Sequence, residues 1–272
     1  MPITQFPASI DVATLIGSNG FSITDFIVQS GAGSSISSIG DINNDGIADL
    51  VIGAPLASSQ VGAIYVIFGK DGIGGSGALD ISSLISSEGF TITGFPTSIP
   101  SLGGTSVSSA GDLNNDGIAD LAIGAPGASD GAVYVIFGKS GIGSSGTLSV
   151  YSLTGTNGFT ITGFPAASAG GSSVSSVGDL NNDGISDLVV GAPYASSFAG
   201  ACYVIFGKSG IGSSGSLSVS SLTGADGFSI TGFTAPSKGG SSVSSAGDLN
   251  NDGILDLAVG SAPGSAVYVI FW

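Results

Sequence analysis

Apolar and polar positions along this chain alternate in short bursts, and no segment holds a helical period over ten residues. GFTITGF from Gly89 and GTSVSSAGD from Gly104 place apolar and polar side chains on opposite faces, as strands with one wet face do. DLAIGAP (120–126) and AVYVIFGK (132–139) are apolar on both faces, as strands buried on both sides are. The order recurs. GDINNDGIADLVIGAP begins at Gly40, GDLNNDGIADLAIGAP at Gly111, GDLNNDGISDLVVGAP at Gly178 and GDLNNDGILDLAVGSAP at Gly247. Upstream of each lies a glycine-phenylalanine segment, at Gly20, Gly89, Gly158 and Gly227. Each unit therefore predicts four strands: A (SVSS), B (DLAIG), C (VYVIF) and D (FTITGF), with a connector of roughly 20 residues before the next D.

Four-stranded units at a fixed period predict an all-β fold, a propeller of four-stranded antiparallel blades. A β-sandwich is the competing reading, and the regular period argues against it. The chain opens with a lone D strand at about 20–26 and stops after a C strand, AVYVIFW at 266–272. The expectation is a single four-bladed domain over 1–272, closed by the N-terminal strand completing the last blade, so that no edge stays open. Four repeats of a larger ring, or a ring shared by two chains, satisfy the same count. A ring closing at four implies a monomer.

Composition narrows the chemistry. The chain has 272 residues, 48 of them Gly. Nineteen acids stand against four Lys and no Arg, a formal net charge of −15. No basic stripe exists for nucleic acid or an anionic membrane. No apolar run reaches the roughly 18 residues of a spanning helix, so membrane insertion is not expected. The opening MPITQFPASIDV has neither the basic nor the apolar stretch of a leader. There is no His, which removes the commonest general base and most zinc sites. Cys202 is the single cysteine, so no intrachain disulfide forms; its alignment with Ile64, Val133 and Val267 marks it as a core residue.

Twelve of the nineteen acids fall in the four repeated loops, 41–49, 112–120, 179–187 and 248–256. Asp, Asn and Asp stand at positions 1, 3 and 5, Gly at 6 and Asp at 9. The residues are Asp41, Asn43, Asp45 and Asp49; Asp112, Asn114, Asp116 and Asp120; Asp179, Asn181, Asp183 and Asp187; Asp248, Asn250, Asp252 and Asp256. Alternate residues of a tight loop converge, glycine permits the sharp turn, and the position-7 carbonyls of Ile47, Ile118, Ile185 and Ile254 can face inward. Two carboxylates about 5 Å apart repel by roughly 3 kcal/mol at an effective dielectric near 20. A hard divalent cation relieves that repulsion, and an irregular all-oxygen cage suits calcium. Four ions, one per blade, are expected. Position 12 is apolar, as at Ile52 and Ile123, so the EF-hand pattern fails after its first half and Asp at 9 becomes the closing ligand. Asn-Asp-Gly is also a plain turn former, but a plain turn needs neither outer Asp.

These loops, followed by Gly53-Ala54-Pro55, Gly124-Ala125-Pro126 and Gly191-Ala192-Pro193, resemble FG-GAP repeats, the blades of the integrin α-subunit propeller and its bacterial relatives. The fourth copy departs, with Ser261 inserted in Gly260-Ser261-Ala262-Pro263. The resemblance implies calcium held by the A–B hairpins on one rim and partners docking on the other face. It does not imply an integrin's partner, since those rings have seven blades. On the other face the third repeat offers Tyr194 and Phe198, which either stack on a glycan, anchor a protein, or pack on neighbouring loops. The expected function is a calcium-stabilised binding or adhesion module, extracellular or on a cell surface, with a protein or glycan ligand. The alternatives are a structural element of a larger surface protein, or a hydrolase using Asp25, Asp130 or Asp226, none of which recurs as a carboxylate pair; an enzyme is not expected.

Overall fold

The structure is a computed structural model that describes residues 9–97, 99–263 and 266–272. The opening residues through Ala8, and Gly264 and Ser265 of the last B–C loop, lie outside them.

Strand β1 (Ser22–Thr24) precedes the first repeat, β2 (Ser35–Gly40), β3 (Asp49–Ala54) and β4 (Ala63–Ile67), an antiparallel A–B–C sheet. After the short β5 (Ala78–Asp80), β6 (Gly89–Thr93) returns as the D strand beside β4. The second repeat follows the same path with β7 (Ser106–Gly111), β8 (Asp120–Ala125), β9 (Ala132–Ile136), β10 (Thr147–Ser149) and β11 (Gly158–Thr162). The third comprises β12 (Ser173–Gly178), β13 (Asp187–Ala192), β14 (Ala201–Ile205), β15 (Ser216–Ser218) and β16 (Gly227–Ile230). The last has only β17 (Gly239–Gly247), β18 (Asp256–Ser261) and β19 (Ala266–Ile270). Strands B and C are buried along their length in the second and third repeats, while strand A alternates, as the two hydrophobic patterns require.

The connectors carry a strand that the sequence pattern does not predict. β10 pairs parallel with β6 of the preceding blade, β15 with β11, and β5 with β1. Three residues are too short a stretch to display a period, but each connector is thereby tied to the blade before it.

Between successive blades lie apolar layers. Val51, Ile64, Val66, Phe90 and Ile92 of the first blade meet Leu121, Ile123, Tyr134 and Ile136 of the second, and the pattern repeats twice. The second Phe of each glycine-phenylalanine segment stands edge-on to the Tyr of the next strand C: Phe26 on Tyr65, Phe95 on Tyr134, Phe164 on Tyr203 and Phe233 on Tyr268, with ring centroids 5.1–5.4 Å apart. Tyr65, Tyr134 and Tyr203 are core residues, Tyr268 of the last repeat is 39% exposed, and Cys202 is buried among apolar side chains of the third and fourth repeats. The glycine that opens each Gly-Ala-Pro has a steric reason. A Cβ on Gly124 would lie 2.0 Å from the carbonyl oxygen of Gly171 in the next blade, and one on Gly53 2.2 Å from that of Gly104.

The structure does not show a ring closed at four. β1 lies against β5 at the leading edge and does not complete the sheet of β17, β18 and β19, which stays three-stranded. Phe26 packs on Tyr65, so β1 stands where the D strand of a blade preceding the first would stand. β1 thus makes with the first blade the contacts of a preceding D strand, while its expected pairing with β19 is not made. Tail positions whose equivalents are buried inside the arc are correspondingly exposed: Val267 is 70% exposed, where Ile64, Val133 and Cys202 are 0%.

Candidate functional site

Each A–B loop leaves strand A through a β-bulge, between Ser38 and Gly40 in the first repeat and at the matching residues of the others. The bulge glycines Gly40, Gly111, Gly178 and Gly247 take φ between 67° and 72°. Within the loop, position 4 is left-handed in all four copies (Asn44, Asn115, Asn182 and Asn251), a conformation asparagine tolerates. Position 6 has φ of 86–91°, as expected of Gly46, Gly117, Gly184 and Gly253.

This path brings positions 1, 3 and 5 together through one hydrogen-bond pattern. In the second copy Asp116 N–H donates to Asp112 Oδ1 and Asn114 Oδ1, both at 2.9 Å, and Gly117 N–H donates to Asp112 Oδ2 at 2.8 Å. Ile118 N–H donates to Asp116 Oδ1 at 3.0 Å, and the Asn114 amide to Asp116 Oδ2 at 2.9 Å. Asp41, Asn43, Asp45 and Ile47 repeat this set, as do Asp179, Asn181, Asp183 and Ile185, and Asp248, Asn250, Asp252 and Ile254.

Position 9 does something the sequence pattern does not disclose. Asp120 is fully buried; its Oδ2 accepts from Leu113 N–H at 2.9 Å and its Oδ1 from Gly138 N–H at 3.0 Å. Asp49 is held likewise by Ile42 and Gly69, and Asp187 by Leu180 and Gly207. The position-9 aspartate ties the loop to the end of strand C. Burial pushes Asp120 up to about 7 and Asp187 up to about 6, against the pull of the two backbone donors, and the charges at positions 5 and 1 push the same way. Asp49 is raised for the same reasons. In the last copy Asp256 Oδ2 accepts from Leu249 N–H at 2.7 Å, but its buried Oδ1 has no partner among the described residues. Trp272 occupies the place of Gly69, Gly138 and Gly207, where a Cβ would come within 2.2–2.3 Å of a carbonyl oxygen of the loop. The signal for this brace was the recurring Phe-Gly-Lys after strand C, in which the glycine matters.

The oxygens at positions 1, 3 and 5 are hard, solvent-facing donors of the type calcium takes, and they retain lone pairs beyond the bonds they accept. The position-9 oxygens point to backbone donors, and among the described residues no three acidic side chains converge into one metal cluster. The side chains at positions 1, 3 and 5 thus offer oxygens of the kind a hard cation takes, and Asp49, Asp120, Asp187 and Asp256 stand behind them with carboxylates that already accept backbone N–H bonds, as those of position 1 do.

The A–B loops share a rim with the C–D connectors: Lys139 N–H donates to Ile42 O and Lys208 N–H to Leu113 O, each at 2.9 Å. The B–C and D–A loops meet on the other face, where Tyr194 N–H donates to Ser168 O and Lys238 N–H to Phe198 O. There Tyr194 and Phe198 stand edge to face at 5.5 Å, 41% and 51% exposed, and Lys238 Nζ sits 4.9 Å from the Tyr194 ring centre. The three unpaired acids are separate. Asp25 accepts from Thr24 Oγ1, Asp130 from Ala167 N–H, and Asp226 pairs with Lys208 at the rim. Among the described residues no helix is long and apolar enough to cross a membrane.

Comparison with known proteins agrees with this geometry. The FG-GAP repeat model matches residues 32–67, 103–136, 170–205 and 239–270, each running from the D–A loop through strand C. The chain is 29% identical over 229 residues to integrin alpha-V of Gallus gallus and 31% over 232 residues to integrin alpha-5 of Xenopus laevis, covering 82% of this chain in both cases. It is 34% identical over 172 residues, 57% of this chain, to the phosphatidylinositol-glycan-specific phospholipase D of Homo sapiens. It spans 18–19% of the length of these relatives. With four matching repeats over about half of its length, each built on the same strands and the same Asp loop, the chain belongs to the FG-GAP repeat family.

Proposed function

We propose that each A–B loop binds one calcium ion through Asp41, Asn43, Asp45 and Asp49 or their equivalents, with the Ile47-type carbonyl completing the set, and that the protein is a calcium-stabilised binding or adhesion module outside the cell or on its surface. The observation that supports this most is the fourfold recurrence of two exposed carboxylates and an amide oxygen in one turn, with no cationic side chain bonded to them among the described residues. In this reading the ion replaces mutual repulsion with coordination and couples binding to folding, because the unfolded chain has no loop to offer. The ligand, a protein or a glycan, docks on the opposite face at Tyr194 and Phe198, with Lys238 beside them. Catalysis has no part in it.

Calcium titration followed by calorimetry, together with melting curves in calcium and in excess EDTA, tests the calcium sites. At 100 times Kd, each site adds about 2.7 kcal/mol. Four such sites contribute about 11 kcal/mol, which places the loss of Tm on chelation at about 20 °C. Asp112→Asn with Asp116→Asn removes one site's heat and leaves the other three. An unchanged melting curve in EDTA refutes the proposal.

A further inference from the structure

Position 2 of each A–B loop lies between the oxygen donors at positions 1 and 3. In the first three loops positions 2 and 9 are the buried residues. Ile42 shares an apolar layer with Leu121 and Ile123 of the next blade, and Leu113 shares the following layer with Leu188 and Val190.

Both backbone groups of position 2 are bonded, in opposite directions. Ile42 N–H donates to Asp49 Oδ2 within its own loop. Ile42 O accepts from Lys139 N–H, 2.9 Å away, just past strand C of the second blade. The adjoining N–H, that of Gly138, donates to Asp120 Oδ1, and Asp120 Oδ2 accepts from Leu113 N–H. Leu113 O in turn accepts from Lys208 N–H at 2.9 Å, and Gly207 N–H donates to Asp187 Oδ1. One path of hydrogen bonds and adjoining peptides therefore runs through the loops at 41–49, 112–120 and 179–187. Its joints leave no slack. A Cβ on Gly138 would lie 2.2 Å from Ala119 O of the second loop and 3.0 Å from Ile42 O of the first. On Gly207 it would lie 2.2 Å from Ser186 O and 2.9 Å from Leu113 O. The fourth loop lacks such a joint: Asp256 Oδ1 has no partner among the described residues, and Leu249 is 61% exposed.

We infer that the first three loops bind calcium cooperatively, each filled loop raising the affinity of its neighbour through the Gly138–Lys139 and Gly207–Lys208 joints, while the fourth binds independently. This rests on the calcium reading above and adds the regulation of those sites. Positions 1, 3 and 9 held by one cation fix the peptides on either side of Ile42, and with them the direction of Ile42 O. That carbonyl orients Lys139 N–H, the adjoining Gly138 N–H, and so the carboxylate of Asp120. The cost of ordering a shared joint falls on the first binding event, and the second meets a loop already set. Three aspartates give each loop a formal charge of −3, so a loop holding one divalent ion is still negative and does not repel the next.

Calorimetric calcium titration of the 272-residue protein tests this, in about 0.15 M salt to screen the field of one loop at another. A Hill coefficient above one is expected. With Asp112→Asn and Asp116→Asn together, three ions still bind, two of them at least about fivefold more weakly than in the parent. With Asp248→Asn and Asp252→Asn together, the remaining three bind as in the parent. Lys139→Pro deletes the N–H bonded to Ile42 O and touches no donor to the cation; it abolishes coupling between the first two loops. Lys139→Ala keeps that N–H and the coupling, and Lys139 has no ion pair of the kind Lys70 and Lys208 make. Circular dichroism in saturating calcium establishes that each variant is folded, and the two double-Asn variants decide the matter if the proline variant is not. Four ions bound independently, or equal effects of emptying the second and the fourth loop, overturn the coupling and leave the calcium reading standing. Absence of calcium binding overturns both.

Discussion

Alanine at Gly124 tests the interface that assembles this fold. The new Cβ would lie 2.0 Å from Gly171 O and 2.3 Å from Ser106 Oγ. The first contact is backbone, so the third blade must move by about 1 Å to restore an ordinary separation, and overpacking of that kind costs about 1–3 kcal/mol. The movement also breaks the Ser106 Oγ to Gly171 O bond, which adds about 1 kcal/mol. The expected loss is therefore about 2–4 kcal/mol. Gly124 has no left-handed φ, so backbone strain adds nothing. Gly260→Ala is the internal control. It occupies the same place in the last repeat, but its new Cβ meets the Ser242 hydroxyl, which can rotate away, and nothing else within 3.5 Å. Urea unfolding in calcium, followed by far-ultraviolet dichroism and by Trp272 fluorescence, measures both. A lower midpoint for Gly124→Ala with little change for Gly260→Ala is expected. Equal losses at both positions refute the claim that the glycine is required by the following blade.

Three further outcomes are expected. Phe164→Ala removes a ring that stands edge-on to Tyr203 and lies over Gly170, and costs about 3–5 kcal/mol by thermal or urea unfolding; Phe26→Ala, at the half-covered head, costs less. Calcium-free protein gains stability as pH falls from about 8 to 5. Asp120 and Asp187 have raised folded-state values, so across this window the folded chain holds protons the unfolded chain has released, and the stabilisation disappears as pH rises through about 6 to 7. Relief of the −15 charge acts the same way, and a Tm in EDTA that falls between pH 7.5 and 5.5 contradicts this account. Cys202, whose thiol burial pushes up to about 12, resists a thiol-reactive disulfide reagent at pH 8 until the protein unfolds; rapid stoichiometric labelling of native protein speaks against a buried thiol.

What the sequence determined was local. The four repeats, the strands A to D and their one-sided or two-sided burial follow from side-chain alternation over five to seven residues. The turn of the Asp loop follows from residues no more than five apart, since Asp112 bonds the N–H groups of Asp116 and Gly117, and glycine and asparagine stand where φ is positive. Membership in the FG-GAP family was legible for the same reason. Tertiary structure decided the rest. The position-9 aspartate turns its oxygens to Leu113 and Gly138, and the second of these donors is 18 residues away, just past the end of strand C. The three-residue connector strands exist because a neighbouring D strand is there to pair with them. Closure depends on the rotation between blades, a sum of small packing angles that no single repeat encodes. Identical repeats specify identical interfaces, and whether the fourth returns to the first is settled only when those interfaces are stacked. Among the described residues they leave Ile36 exposed on the first blade and Val267 exposed on the last.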